Sequence, residues 1–128
     1  MRRTCLSLFL CLVAAEAAAQ SVPMREHFAP PGWEDSYTQL HYSPVVRIGD
    51  RMIVSGIPAL EGDTEEGKIR WAFQQLQAHL EEAGATMADV VELQSFHVAR
   101  DHDEFRRRIE PVLKVHRDFF KDHYPAWT

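Results

Sequence analysis

The strongest constraint in this chain is the stripe Ile69, Ala72, Phe73, Leu76, Leu80 and Ala83, whose members recur at steps of three and four residues. Residues so spaced fall on one side of an α-helix, and the stripe leaves Gln74, Gln75, Glu81 and Glu82 outside it. The spacing predicts a helix over 63–83 with one apolar face, and that face must be covered by something. Both ends are punctuated: Asp63 and Glu66 have capping-box spacing, and Gly84 suits the left-handed exit of a helix.

The neighbouring segments supply the cover. Upstream, two β-prone runs at 40–48 and 52–60 face each other across Gly49-Asp50. Glycine takes positive φ at little steric cost and aspartate tolerates it, so a tight hairpin is expected. Pro44 has no N–H for a ladder and belongs at an edge or bulge. Downstream, residues 90–99 read as a third strand after the short connection 86–89. Asp101 and Asp103 then open a second helical region that gathers Phe105, Ile109, Val112, Leu113, His116, Phe119 and Phe120 on one face. Pro111 falls inside it, which predicts either a kink or a fresh start. The order β-β-α-β-α gives an α+β domain with helices on one face of a mixed or antiparallel sheet. Three strands leave little width for two helices, so a further strand is expected beyond Trp127 and the domain reads as truncated at its C-terminal end.

The N-terminal zones are of a different kind. Arg2 and Arg3 precede an apolar run at 5–15, and the small residues Ala17, Ala18 and Ala19 follow. This is the layout of a secretory signal peptide over 1–19. The run has 11 residues, whereas a bilayer-crossing helix needs about 20. Both cysteines, Cys5 and Cys11, lie in that segment, so the exported chain carries no thiol for disulfides, thiolate catalysis or thiolate metal sites. Residues 20–36 contain Pro23, Pro30, Pro31 and Gly32 with little periodicity and read as an arm or linker before a domain at 37–128. Trp33 within it is either a docking anchor or a loosely packed surface residue. Removing the leader takes the formal charge from −5 to −6. That balance repels phosphate backbones and argues against nucleic acid as a partner. Arg106, Arg107 and Arg108 sit among acids and read as a solvated helix face.

The seven histidines are the first candidates for chemistry. None has the helical four-residue step with an adjacent glutamate that marks a zinc protease, and no metal or cofactor is expected. His116 on the apolar stripe reads as a core or interface residue. No serine sits in a nucleophile-elbow pattern, and no glycine-rich phosphate loop follows a strand.

Taken in series, the segments have a family look. Tyr42-Ser43-Pro44-Val45-Val46, followed by the run Gly49 to Gly56, resembles the opening hairpin of the RidA (YjgF-type) family of reactive-intermediate deaminases. Leu80-Glu81-Glu82-Ala83-Gly84-Ala85, then Asp89-Val90-Val91, is similar to the middle of that family, and Phe119-Phe120 with Tyr124-Pro125-Ala126 to its later part. The resemblance implies a chorismate-mutase-like fold, a homotrimer, and a small-molecule pocket between subunits. It also implies that an arginine after Pro-Ala grips a substrate carboxylate, through the two parallel bonds a guanidinium fork can make. Here that residue is Trp127, and the usual glutamine after Ser55-Gly56 is Ile57. The family's last strand, with a water-positioning glutamate, has no match. The substrate-binding positions implied are Tyr42, Ser55, Gly56, Ile57, Trp127 and Thr128. Tyr42 and Trp127 read equally as interface core, and Ser55 as a turn cap. Two functions follow: a divergent deaminase or hydrolase of a small imine- or enamine-like molecule, or a non-catalytic trimeric ligand-binding protein. Nucleic-acid cleavage, attributed to some relatives, is the third and weakest.

Overall fold

The hairpin forms where the turn chemistry places it. In the computed structural model, which describes residues 24–128, β2 (Val45–Ile48) and β3 (Arg51–Val54) pair antiparallel, with Ile48 opposite Arg51. Gly49 takes the turn at φ 63°. The leader at 1–19 and the first arm residues, 20–23, lie outside the described residues.

The arm differs from its reading. Residues Arg25–Phe28 form β1, antiparallel to β2 with Phe28 opposite Val45, so the segment is the edge strand of a three-stranded sheet. Four residues interrupted by proline soon afterwards give too short a period for sequence to register. What fastens the strand is a cross-strand pair: Glu26 faces Arg47, and Arg47 Nε donates to Glu26 Oε2 at 2.8 Å. The same guanidinium donates to the Ala83 carbonyl at 3.1 Å and lies 5.1 Å from the Phe28 ring centre. Beyond β1, the Trp33 indole donates to Gln75 Oε1 and meets the buried His79 edge-on. Trp33 is thus a docking anchor. A short helix, α1 (Asp35–Thr38), follows.

Helix α2 (Glu65–Glu82) lies inside its expected span. Its N-cap is Thr64, whose hydroxyl accepts from Gly67 N, and not Asp63, because Thr64 holds the extended backbone that a cap requires. Gly84 exits at φ 82° as expected. Helix α3 (His102–Phe119) is continuous through Pro111, with no fresh start there. The carbonyl that Pro111 leaves without an N–H, four residues back at Arg107, is on an exposed residue that water can serve. Asp101 caps α3 by accepting from Glu104 N.

The expected third strand is shorter than read. Only Glu92–Leu93 (β4) is laddered, parallel to β5 (Ala126–Trp127), and among the described residues these two form a separate two-stranded sheet. Burial nonetheless alternates residue by residue from Glu92 to Arg100, and Ser95 N donates to the Thr128 carbonyl. The core sits between the helices and this sheet: Ile69 and Phe73 from α2, Val112 and Val115 from α3, and Phe120, flanked by Leu93, Ile109, Phe119 and Trp127. Arg70 to Asp118 and Lys114 to Glu66 tie the two helices together outside it. The face away from the helices leaves Ile53, Phe96 and Val98 open to solvent, Phe96 by 92%.

Candidate functional site

The six positions implied by resemblance fall into two groups. Tyr42, Ser55, Gly56 and Ile57 lie where the chain enters β2 and leaves β3; Trp127 and Thr128 lie on and after β5. Among the described residues no hydrogen bond joins the groups within one chain.

In the first group the two side-chain hydroxyls each take part in an internal bond. Tyr42 N donates to the carbonyl of buried Ser36, and the Ser36 hydroxyl donates to the Tyr42 phenol oxygen at 3.1 Å. His41, just before it, holds a left-handed φ of 58°, uncommon for a residue with a Cβ. Ser55 Oγ donates to the Ser43 carbonyl at 2.7 Å and its N–H to the Pro44 carbonyl, so it closes the end of the hairpin. Gly56 is exposed with open space where a Cβ would stand, and Ile57 is half-buried.

In the second group it is Trp127 that is turned toward the helices. The Trp127 indole stacks on His116 of α3 at 4.5 Å between ring centres and 9° between planes. Its Nε1 donates to Ser95 Oγ at 2.9 Å, and the same oxygen lies 2.9 Å from His97 Nε2. Thr128 continues the ladder through its N–H to the Leu93 carbonyl, with its side chain exposed. Burial, reinforced by Arg117, holds the His116 imidazole below the usual histidine value, and among the described residues its buried Nε2 has no partner.

Sequence reasoning missed two features. One is the Ser95–His97 pair. The other is a hollow of about 470 Å³ between arm and α1, lined by His27, Phe28, Glu34, Tyr37, Ser43 and others, in which His27 Nδ1 lies 2.6 Å from Ser43 Oγ. The signal for the first was the Ser-x-His spacing itself, since alternate residues of an extended chain share a face. The second had none, because it depends on how the arm folds back. Arg108 and Arg100 both pair with Glu104, whose carboxyl is drawn down to about 2 by hydrogen bonds from the Arg100 backbone and side chain and from Arg108. Among the described residues no group of three or more His, Cys, Asp or Glu is placed to hold a metal, and no helix is long and apolar enough to cross a membrane.

The family model described as endoribonuclease L-PSP matches residues 34–128. The chain belongs to this family. The RidA (YjgF-type) resemblance read from the hairpin and the Pro-Ala step is the same grouping. A curated relative, RutC family protein YjgH of Escherichia coli strain K12, is 32% identical over 105 residues, covering 77% of this chain and 76% of the relative. The solved structure of protein YjgH superposes with a TM-score of 0.69 at 29% identity, covering 81% of each chain. That of Rv2704 from Mycobacterium tuberculosis, a member of the YjgF/YER057c/UK114 family, gives 0.64 at 29% identity over 81% of this chain and 80% of the other. These matches give the domain the α+β, chorismate-mutase-like fold of the L-PSP family. β1 lies wholly before the matched residues.

Proposed function

We propose that this L-PSP-family chain is a divergent deaminase or hydrolase of a small, uncharged or cationic imine- or enamine-like molecule. Its pocket lies between subunits of a homotrimer, outside the cytoplasm once residues 1–19 are removed. Trp127 after Pro125-Ala126 carries this reading. A neutral indole has one donor and cannot hold a carboxylate bidentately. Burying an anionic headgroup there without a cation costs several kcal/mol, about a thousandfold in affinity. The indole here is also committed to Ser95 and His116. Exposed Phe96 and Val98 support a subunit contact, as apolar ground of that kind does generally.

Ammonia release from neutral imines against 2-aminoacrylate-type acids tests the reading. Neutral substrates should turn over faster, and Tyr42→Ala should lower the rate; equal or better turnover of the acids with Trp127 intact would overturn it. A second reading, a trimeric ligand-binding protein without turnover, is favoured by one observation: the Tyr42 and Ser55 hydroxyls each take part in an internal bond, Tyr42 as acceptor and Ser55 as donor. Thermal stabilisation by a small-molecule set with no turnover of any member would select it. The net charge of −5 opposes RNA cleavage. Tight RNA binding at physiological salt would reverse that judgement.

A further inference from the structure

We propose that Ser95 is an activated nucleophile, with His97 as its base and the Trp127 indole as a donor to its oxygen, acting on small neutral acyl compounds such as esters or primary amides. The three side chains come together for a simple reason. Burial alternates along this segment, so Ser95 and His97 face the helices while Phe96 between them faces out. β5 lies beside β4 with Trp127 opposite Leu93, which brings the indole alongside Ser95.

The direction of the hydrogen bonds decides what the serine can do. An indole N–H only donates, so at 2.9 Å the Ser95 oxygen is the acceptor. The role requires the His97 tautomer with its proton on Nδ1, in which the Ser95 hydroxyl donates to Nε2, 2.9 Å away. The oxygen thus has a base for its proton and a donor for the charge it gains as that proton leaves, the two requirements of an activated hydroxyl. The other described serines lack this combination. Ser36 donates to a phenol and Ser55 to a backbone carbonyl. Ser43 meets His27, which is exposed on the edge strand, and no N–H donates to its oxygen. Aromatic rings flank the pair: Phe105 stands edge-on to His97 at 5.9 Å, and the indole that donates to Ser95 stacks on His116. Among the described residues no carboxylate bonds to His97, so the arrangement is a dyad, and it suits an uncharged carbonyl.

In the proposed step Ser95 Oγ bonds to the carbonyl carbon and its proton passes to His97 Nε2. The carbon–heteroatom bond of the leaving group then breaks, and the departing alcohol or amine takes that proton. Water, deprotonated by the same imidazole, then bonds to the acyl carbon, the carbon–Oγ bond breaks, and Oγ takes the proton back as the acid leaves. A primary amide would yield ammonia by this route.

The test uses the full chain and needs no natural substrate, so it stands or falls apart from the imine reading. Diisopropyl fluorophosphate bonds to an activated serine with loss of fluoride, and the modified residue is located by peptide mass spectrometry. Labelling at Ser95 is expected and should vanish in Ser95→Ala. It should slow roughly 100-fold in His97→Gln, the usual scale for losing a general base. Trp127→Phe keeps the ring on His116 but removes one donor and should slow labelling about 10-fold. Absence of label on the unmodified protein would overturn the proposal, whether or not the variants fold. Label confined to Ser43 would do the same, and would move the reactive centre to the arm.

Discussion

His79 shows how a single buried side chain sets a pH limit. It is 1% exposed, its Nδ1 lies 2.6 Å from the Gln75 carbonyl, and burial lowers its proton affinity below the usual histidine value. His116 is shifted the same way. In the unfolded chain both imidazoles titrate near 6.5, as free histidines do. The folded state holds the proton off until lower pH, so falling pH favours unfolding. Their stabilisation is complete above about 6.5 and is lost as pH drops toward the folded values. A melting-temperature series from pH 7.5 to 5 should show this decline, and His79→Phe should flatten part of it; an unchanged slope in the variant would remove His79 from the account. Sequence placed His116 correctly on the apolar stripe. It did not single out His79, which lies three residues after Leu76 and four before Ala83 at the margin of the α2 stripe, where the Trp33 ring meets it edge-on. The Ser95–His97 pair escaped for a related reason: nucleophile motifs describe loops between strand and helix, and this pair lies along one extended segment.

At the scale of elements, the connection into α2 is more tightly specified than its composition suggests. Gly62 sits at φ 141°, and a Cβ there would come within 2.8 Å of the backbone of Gly67 and Lys68. Backbone atoms of a capped helix turn have little room to yield, so Gly62→Ala should cost about 2 kcal/mol in urea unfolding. Thr64→Ala removes the hydroxyl that accepts from Gly67 N and should cost about 1 kcal/mol. If both variants match the parent, the turn is not what positions α2. The helices were the most legible elements because their apolar periods run through many turns; α2 falls inside its expected bounds and α3 keeps its face across Pro111. Short strands carry little pattern of their own: the hairpin strands, expected over 40–48 and 52–60, close to four residues each around their marked turn, β4 is likewise shorter than read, and β1, which no tight turn marks, was not read at all.

For the molecule as a whole, the proposed trimer makes a clean prediction. On an isolated chain Phe96 is 92% exposed, and replacing it with Asp should change monomer stability by less than about 0.5 kcal/mol, as surface substitutions do. In a subunit contact the same carboxylate would be buried unpaired and should dissociate the assembly. Light scattering on the parent and Phe96→Asp distinguishes these, and a single mass shared by both would exclude Phe96 from any contact. The family fold could be read from ordered short motifs, whereas the separation of the six implied positions into two groups could not, because it is a property of how strands are arranged. Arg47 joins the edge strand to the end of α2. Its guanidinium meets a carboxylate, an aromatic face and a helix-end carbonyl at once, so dissolved salt can weaken only the first of these appreciably. The segment before α1 should therefore stay in place in molar sodium chloride, with Trp33 fluorescence unchanged, yet come loose when this one side chain is cut back to alanine.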